Sequence, residues 1–262
     1  MPWYIVIMLS AMVILHQSVS GRCPEEKGSI KITYTGNMGV LISTDREAVW
    51  MDGLHKFYKP EYQPTDQQFI DKAKQHEGDF KSLQWLLFSH YHRDHFDATL
   101  TKEIISNSPE IKISGAGQVV DSLTDAFTKN AWNRNGSLDN ADYESSVHVE
   151  AFNLQHTWPA RHSTVQNLMF SVIIDGKRIT HLGDSGDKDP AYTQKAFLNA
   201  EVLVVPYWLL LNEDGKSLLK TSKAITIIAT HIEPGAKLPI ELKNGKEQKV
   251  ILFDVPGEFI NV

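Results

Sequence analysis

The sequence predicts a protein of mixed α and β structure, and three observations carry that prediction. Short apolar runs alternating at period two, such as Ile30-Lys31-Ile32-Thr33-Tyr34, recur along the chain, as half-buried strands require. Between them lie segments with helical patterning, at 66–76, 97–106 and 119–127. Asp175-Gly176 separates two alternating runs, a pair suited to the positive φ angles of a tight hairpin turn.

Taken in order, Ile30 to Tyr34, Val40 to Ser43 and Ala48 to Met51 are separated by Gly36, Gly39 and the Asp45-Arg46 turn, which predicts an antiparallel meander. Pro60 to Gln68 holds two prolines and many polar residues, so it reads as a surface loop leading into the first helix. His55 and His76 flank this stretch without ligand spacing to a partner and are expected to be surface or loop histidines. Leu83 to Phe88 is an apolar run of strand length, Ile111 to Ser114 a second strand, and Lys129 to Tyr143 a polar loop. Val147 to Phe152 alternates, placing His148 on a sheet face. Ser171 to Ile174 and Lys177 to Thr180 form the arms of the Asp175-Gly176 hairpin. Glu201 to Val205 is a strand ended by Pro206, and Ile227 to Thr230 is another. Asn244-Gly245, between Leu238 to Lys243 and Glu247 to Phe253, signals a second hairpin.

With 262 residues of which 42% are hydrophobic, the chain can bury an ample core, and no repeat, low-complexity tract or linker divides it. One domain over 21–262 is therefore expected. The net charge of −6, with no basic run, argues against a nucleic-acid partner. Residues 1–20 contain no Asp, Glu, Lys or Arg, and Trp3 to Leu15 is almost wholly apolar but too short for a comfortable bilayer span. Ser18-Val19-Ser20 offers a small-x-small cleavage pattern, so a signal peptide, a mature start near Gly21 and a secreted or periplasmic location are expected, with a membrane-held N-terminus as the alternative. Cys23 is the only cysteine, so no internal disulfide can form, and Arg22 before it argues against lipid attachment. The sequence does not specify an oligomeric state.

The chemistry concentrates in Ser89-His90-Tyr91-His92-Arg93-Asp94-His95, which directly follows the apolar run at 83–88. Three of the eleven histidines fall within six residues, with a carboxylate between the second and third. Leaving a strand in extended geometry, His90 and His92 point the same way and can grip one ion. Asp94 and His95 sit where the chain must turn, with Asp94 expected as N-cap of the helix at 97–106, so this pair faces a second point.

His-x-His-x-Asp-His after a hydrophobic strand resembles the signature of the metallo-β-lactamase fold superfamily. The resemblance implies an αββα four-layer sandwich, a catalytic role for the domain and three further ligands at the ends of later apolar runs. This chain offers His156, Asp184 in Gly183-Asp184, and His231 in that order. The implied assignment gives His90, His92 and His156 to one metal and Asp94, His95 and His231 to a second, with Asp184 bridging. Two divalent metal ions, Zn²⁺ first and iron or manganese also accepted by imidazoles and carboxylates, would supply a hydroxide nucleophile, and Asp94 would also handle a proton as catalytic residue. Asp52 resembles the family's buried Asp that supports the metal loop; an ordinary turn Asp before Gly53 is the other reading.

By spacing, His156 and His162 can each be the third motif. Gln155-His156-Thr157-Trp158-Pro159-Ala160-Arg161, followed by Asn167-Leu168, is similar to the N-acylphosphatidylethanolamine-hydrolysing phospholipase D branch, with Trp158 displaced by one, and ascorbate-phosphate lactonase-like proteins share the pattern. This selects His156. Pro159, standing where glyoxalase-type members carry Gly, argues against a thioester hydrolase, and the absence of a cysteine near the site argues against the antibiotic-degrading members that use one. Two classes follow: a metallohydrolase of phosphodiesters, lactones or amides acting on a small-molecule or lipid-like substrate, and a non-hydrolytic metal protein, either an iron-dependent oxygenase or a silent binding module. Tyr207 to Leu211, beyond the strand ended by Pro206, is either an apolar wall of the substrate pocket or a core helical turn.

Overall fold

The computed structural model describes residues 29–123, 131–132, 147–237, 243–244 and 248–262. The expected leader, Cys23, the turn after Asn244 and nearly all of the polar loop at 129–143 lie outside these residues.

Two seven-stranded mixed sheets form the centre. The first is built from β1 (Lys31–Gly36), β2 (Gly39–Ser43), β3 (Ala48–Met51), β4 (Leu83–Phe88), β5 (Lys112–Gly115) and β6 (Ala131–Trp132), with the last strand of the chain, β14 (Phe259–Asn261), on the free edge of β1. The meander β1-β2-β3 is antiparallel as expected, after which β4, β5 and β6 add in parallel. The second sheet contains β7 (His148–Gln155), β8 (Gln166–Ile174), β9 (Lys177–His181), β10 (Val202–Pro206), β11 (Thr226–Thr230), β12 (Lys243–Asn244) and β13 (Gln248–Leu252), in the order β12-β13-β11-β10-β9-β8-β7. The hairpin β8-β9 turns at Asp175 and Gly176, whose φ values of 46° and 77° are those its turn pair was read to supply.

Period two decides which layer each side chain enters. On β10, Val202 and Val204 face the core between the sheets, whereas Leu203 and Val205 belong to a second cluster on the outer side; on β11, Ile228 faces inward and Ile227 and Ala229 outward. The outer cluster is covered by α4 (Lys195–Leu198) through Phe197, by α5 (Glu213–Leu219) through Leu219, and by a 3₁₀ turn at Tyr207–Leu210 through Leu209 and Leu210. On the first sheet's side, α1 (Gln67–Gln75) brings in Phe69, Ile70 and Ala73, and α2 (Ala98–Asn107) brings in Leu100, Ile104 and Ile105. The result is the αββα sandwich.

Several local expectations change. Asp97 caps α2 by accepting from the Leu100 N–H, so Asp94 is not the N-cap; its carboxylate is withdrawn into the cluster described below. α1 starts where its Asp66 cap places it and ends at His76, which adopts the left-handed conformation and bonds Ser108. The third helical segment is shorter than expected, α3 (Gly117–Ser122), and 124–127 lie outside the described residues. His55 is fully buried rather than on the surface, with Nε2 3.3 Å from the Gly36 carbonyl oxygen, and burial pushes its pKa down to about 4. No helix among the described residues is long and apolar enough to cross a membrane.

Gly215 marks the tightest approach beneath the second helix layer. A Cβ there would stand 2.2 Å from the Leu209 carbonyl oxygen, a backbone atom that cannot swing away. Alanine normally favours a helix over glycine by about 1 kcal/mol, but Gly215→Ala is expected to lower Tm by several degrees because this clash outweighs propensity. A Tm equal to or above that of the parent chain in calorimetry would show that α5 shifts at little cost.

Candidate metal centre

The site lies where strands of both sheets end on the same side. β4 delivers Ser89 to His95, β7 ends at His156, β9 leads through Gly183 to Asp184, and β11 ends at His231. All seven side chains singled out in the sequence converge in two groups that share Asp184. His90, His92, His156 and Asp184 form one, Asp94, His95, Asp184 and His231 the other, and within each group one candidate ligand atom per residue lies within 4.8 Å of the rest.

The spacings are close. His90 Nε2 is 2.9 Å from His92 Nδ1 and 3.8 Å from Asp184 Oδ2, which His156 Nε2 approaches to 3.7 Å. In the second group His95 Nε2 is 3.3 Å from Asp184 Oδ1, and His231 Nε2 is 3.3 Å from Asp94 Oδ2 and 3.4 Å from Asp184 Oδ2. Ligands about 2.0–2.2 Å from a tetrahedral Zn²⁺ stand roughly 3–4 Å from one another, the same range.

For three of the rings the far side explains the orientation. His95 Nδ1 lies 2.9 Å from Asp52 Oδ2, His90 Nδ1 3.0 Å from Ser89 Oγ, and His156 Nδ1 2.8 Å from the Thr157 carbonyl oxygen. With Nδ1 engaged, Nε2 faces the centre. His95 Nε2, His156 Nε2, His231 Nε2 and Asp184 Oδ1 are buried there without a hydrogen-bond partner. Unsatisfied buried polar atoms are costly, and four of them distributed over two groups that share Asp184 fit bound cations.

Electrostatics separate the two groups. Burial, reinforced by neighbouring histidines, holds His90 well below the ordinary histidine pKa and pushes His92 down to about 4; His156 is also lowered, chiefly by burial. These rings are neutral at pH 7 and offer lone pairs. In the second group burial opposes charge on His95 and His231, but Asp184 and Asp94 overcome it, lifting His95 well above its ordinary value and His231 to about 9. Burial likewise opposes ionisation of Asp184 and Asp94, yet His231 and His95 hold Asp184 well below the usual carboxylate range, and His95 and His231 do the same for Asp94. Both carboxylates are anionic.

Several supporting residues complete the frame. Fully buried Asp52 accepts from the Ser89 N–H at 2.7 Å and Ser89 Oγ at 2.5 Å, as well as facing His95; the supporting reading of this residue holds and the plain turn reading does not. Asn37, in the β1-β2 turn with φ of 47°, donates to both the backbone and side-chain oxygens of Asp94 at 3.0 Å, and its carbonyl accepts from the His231 N–H at 2.8 Å. It was not singled out in the sequence, where only its place beside Gly36 in a turn signals a left-handed position. His181, also not foreseen, accepts from the Gly183 N–H at Nδ1. Gly183 has φ of 54°, and a Cβ on it would meet Asn167 Oδ1 at 2.4 Å and Ser89 Cβ at 2.7 Å. Only glycine lets Asp184 follow so close to the loop of the first sheet.

A cavity of about 630 Å³ opens over the cluster. Tyr207 and Trp208 line it, whereas Leu209 and Leu210 are buried in the outer core, so the segment after Pro206 is wall and core at once. Trp208 is anchored by Nε1–H donating to the Ser185 carbonyl oxygen at 2.8 Å. His162 lines the cavity with its ring centroid 4.3 Å from that of His156, but belongs to neither ligand group.

Residues 60–240 match the family of the beta-lactamase superfamily domain, and the chain belongs to that superfamily. Its architecture is the metallo-β-lactamase fold. Igni18, a metallo hydrolase from Ignicoccus hospitalis, is 18% identical, with 89% of this chain and 98% of that one aligned at a TM-score of 0.61. The metallo-β-lactamase fold protein YhfI from Bacillus subtilis is 14% identical, over 89% and 100%, with a TM-score of 0.60. CmlA, a diiron β-hydroxylase from Streptomyces venezuelae, is 12% identical over 78% of this chain and 45% of its own, with a TM-score of 0.51. At these identities the likeness carries the fold alone. No curated protein matches the chain in sequence.

Asp52 offers the sharpest test of the frame. Its carboxylate presents only acceptors to Ser89 and His95, so Asp52→Asn turns an amide N–H towards at least one donor. Loss of about 2–4 kcal/mol is expected, read as a lower urea midpoint at unchanged m-value, together with weaker metal retention. An unchanged midpoint would show that the loop is held without this carboxylate.

Proposed function

We propose that the chain is a metal-dependent hydrolase whose two ligand groups hold two divalent cations bridged by Asp184. The observation that carries this reading is the pair of groups sharing one carboxylate, with four inward atoms lacking any other partner. His90, His92 and His156 would hold one cation, and Asp94, His95 and His231 the other. Bound there, Zn²⁺ or a similar ion supplies Lewis acidity and a water whose pKa falls from about 16 towards ~7.

The chain's own groups then have separable roles. Asp184 balances charge in both groups. Asp94, fixed by Asn37 and lining the cavity, is the carboxylate placed to take a proton from an attacking water. Ser89, Asp52 and the Thr157 carbonyl hold the rings in the orientation that leaves Nε2 inward. The substrate classes suited to this chemistry are phosphodiesters, lactones and amides, from small molecules to lipid-like compounds. A second reading, an iron-dependent oxygenase, draws on the sulfur-free donor set and on the diiron β-hydroxylase that shares the fold.

Elemental analysis of the purified chain is expected to find close to two divalent metals per molecule; one or fewer after reconstitution would sink the dinuclear reading. Bound iron with no hydrolysis of phosphodiester and lactone panels would favour the oxygenase. Asp184→Ala should lower both metal retention and turnover at least about a hundredfold, whereas His162→Ala should keep its metal. If His162→Ala loses metal and His156→Ala does not, the third ligand has been assigned to the wrong histidine.

A further inference from the structure

Beyond the ligand cluster, the cavity has a polarity of its own. Four successive ring contacts run along one side of it. Tyr58 stacks on Tyr62 at 5.9 Å, Tyr62 meets His231 edge-on at 5.5 Å, His231 meets Trp208 at 5.0 Å, and Trp208 meets Trp158 at 5.6 Å. His231 thus stands in the middle of an aromatic strip whose two ends differ.

At the Tyr58 end, Lys59 Nζ lies 4.9 Å and the Arg93 guanidinium 5.9 Å from the ring centroid. Among the described residues neither cation is paired with a carboxylate. At the other end Trp158 is 60% exposed, although it is the kind of side chain that folding normally covers. Its backbone has φ of 49°, a conformation that costs a bulky residue energy and is held by the Arg161 and His162 N–H groups donating to its carbonyl. A strained segment thus presents a largely uncovered indole to the cavity.

We propose that the cavity selects an amphiphilic anion, with its apolar body seated on Trp158 and Trp208, its negative group at Lys59 and Arg93, and its reacting bond between them beside His231. This rests on the hydrolase reading for what happens to that bond, but the recognition itself does not. The burial of an alkyl or aryl body against two indoles supplies affinity, and two cations close to the Tyr58 ring supply the sign of charge. Glu61 and Glu233 also line the cavity, and Arg161 lines it near Trp158, so the Tyr58 end is set apart by two cations gathered at one ring and not by the charge of the rim as a whole.

Calorimetric titration of the metal-loaded chain with three octyl probes that it cannot hydrolyse tests this: octanesulfonate, octanol and octyltrimethylammonium. Octanesulfonate should bind about tenfold tighter than octanol, and the ammonium more weakly still. The double variant Lys59→Ala with Arg93→Ala should bring octanesulfonate to the level of octanol, and Lys59→Glu alone, away from the ligand segment, should narrow the gap. Trp158→Ala should weaken all three by a similar factor and leave their order intact. An anion preference that survives both charge variants would place the anion elsewhere, on the metals or at Arg161, and overturn the proposal, as would a preference for the ammonium, equal binding of the three, or no binding of any. Because the readout is binding, a chain with the expected preference but no turnover would refute the hydrolase reading alone.

Discussion

The buried carboxylate of Asp52 is the constraint on which the site depends. It lies just beyond β3, wholly removed from water, and meets the Ser89 amide, the Ser89 hydroxyl and the His95 ring. A buried anion without partners would be prohibitive, so the loop after β4 must present its donors to it. That one requirement fixes where β4 ends, turns His95 Nε2 inward and, through Ser89 Oγ, bears on His90 as well. Asp52 itself has φ of 45°, a left-handed conformation that aspartate tolerates better than most residues.

The second sheet reaches the same place by different means. Gly183 allows β9 to approach Ser89 closely enough that no side chain fits, and the Leu168 N–H bonds the Ser89 carbonyl, so the loop is held from both sheets. Asn37 joins Asp94 to His231 through one side chain and one carbonyl. The cluster is therefore supported by β-turns and strand ends that have few degrees of freedom, which suits a site whose ligand atoms must be positioned to fractions of an ångström.

The pairing of rigid frame and open aromatic strip gives the molecule two separable properties. The frame assembles carboxylates and imidazoles, four of whose inward atoms have no hydrogen-bond partner, which is the basis for the hydrolase reading. The strip from Tyr58 to Trp158 is drawn from the loop before α1, the segment after β7 and the turn after β10, and it meets the frame at His231, which belongs to both.

Much of this was legible in the chain itself. Period-two runs, the Asp175-Gly176 turn and the His-x-His-x-Asp-His spacing are local signals, because strand alternation, positive φ and ligand direction are properties of a few consecutive residues. His156, Asp184 and His231 were singled out because the resemblance implies a later His, a Gly-Asp pair and a last His, and each of them ends an apolar run. What tertiary structure alone decided is everything that depends on two distant segments meeting. Asn37 is one turn residue among many until β11 brings His231 to its carbonyl. His55 carries no mark of burial in its neighbours, yet it packs under Gly36. Asp94 and Asp97 are both good helix caps by residue type, but the helix begins at Ala98, directly after Asp97, while Asp94 is held in the cluster by Asn37, His95 and His231. Tyr207 to Leu211 could be wall or core because a 3₁₀ turn at a strand end has both faces in use: Tyr207 and Trp208 line the cavity, Leu209 and Leu210 enter the outer core, and Leu211 is exposed.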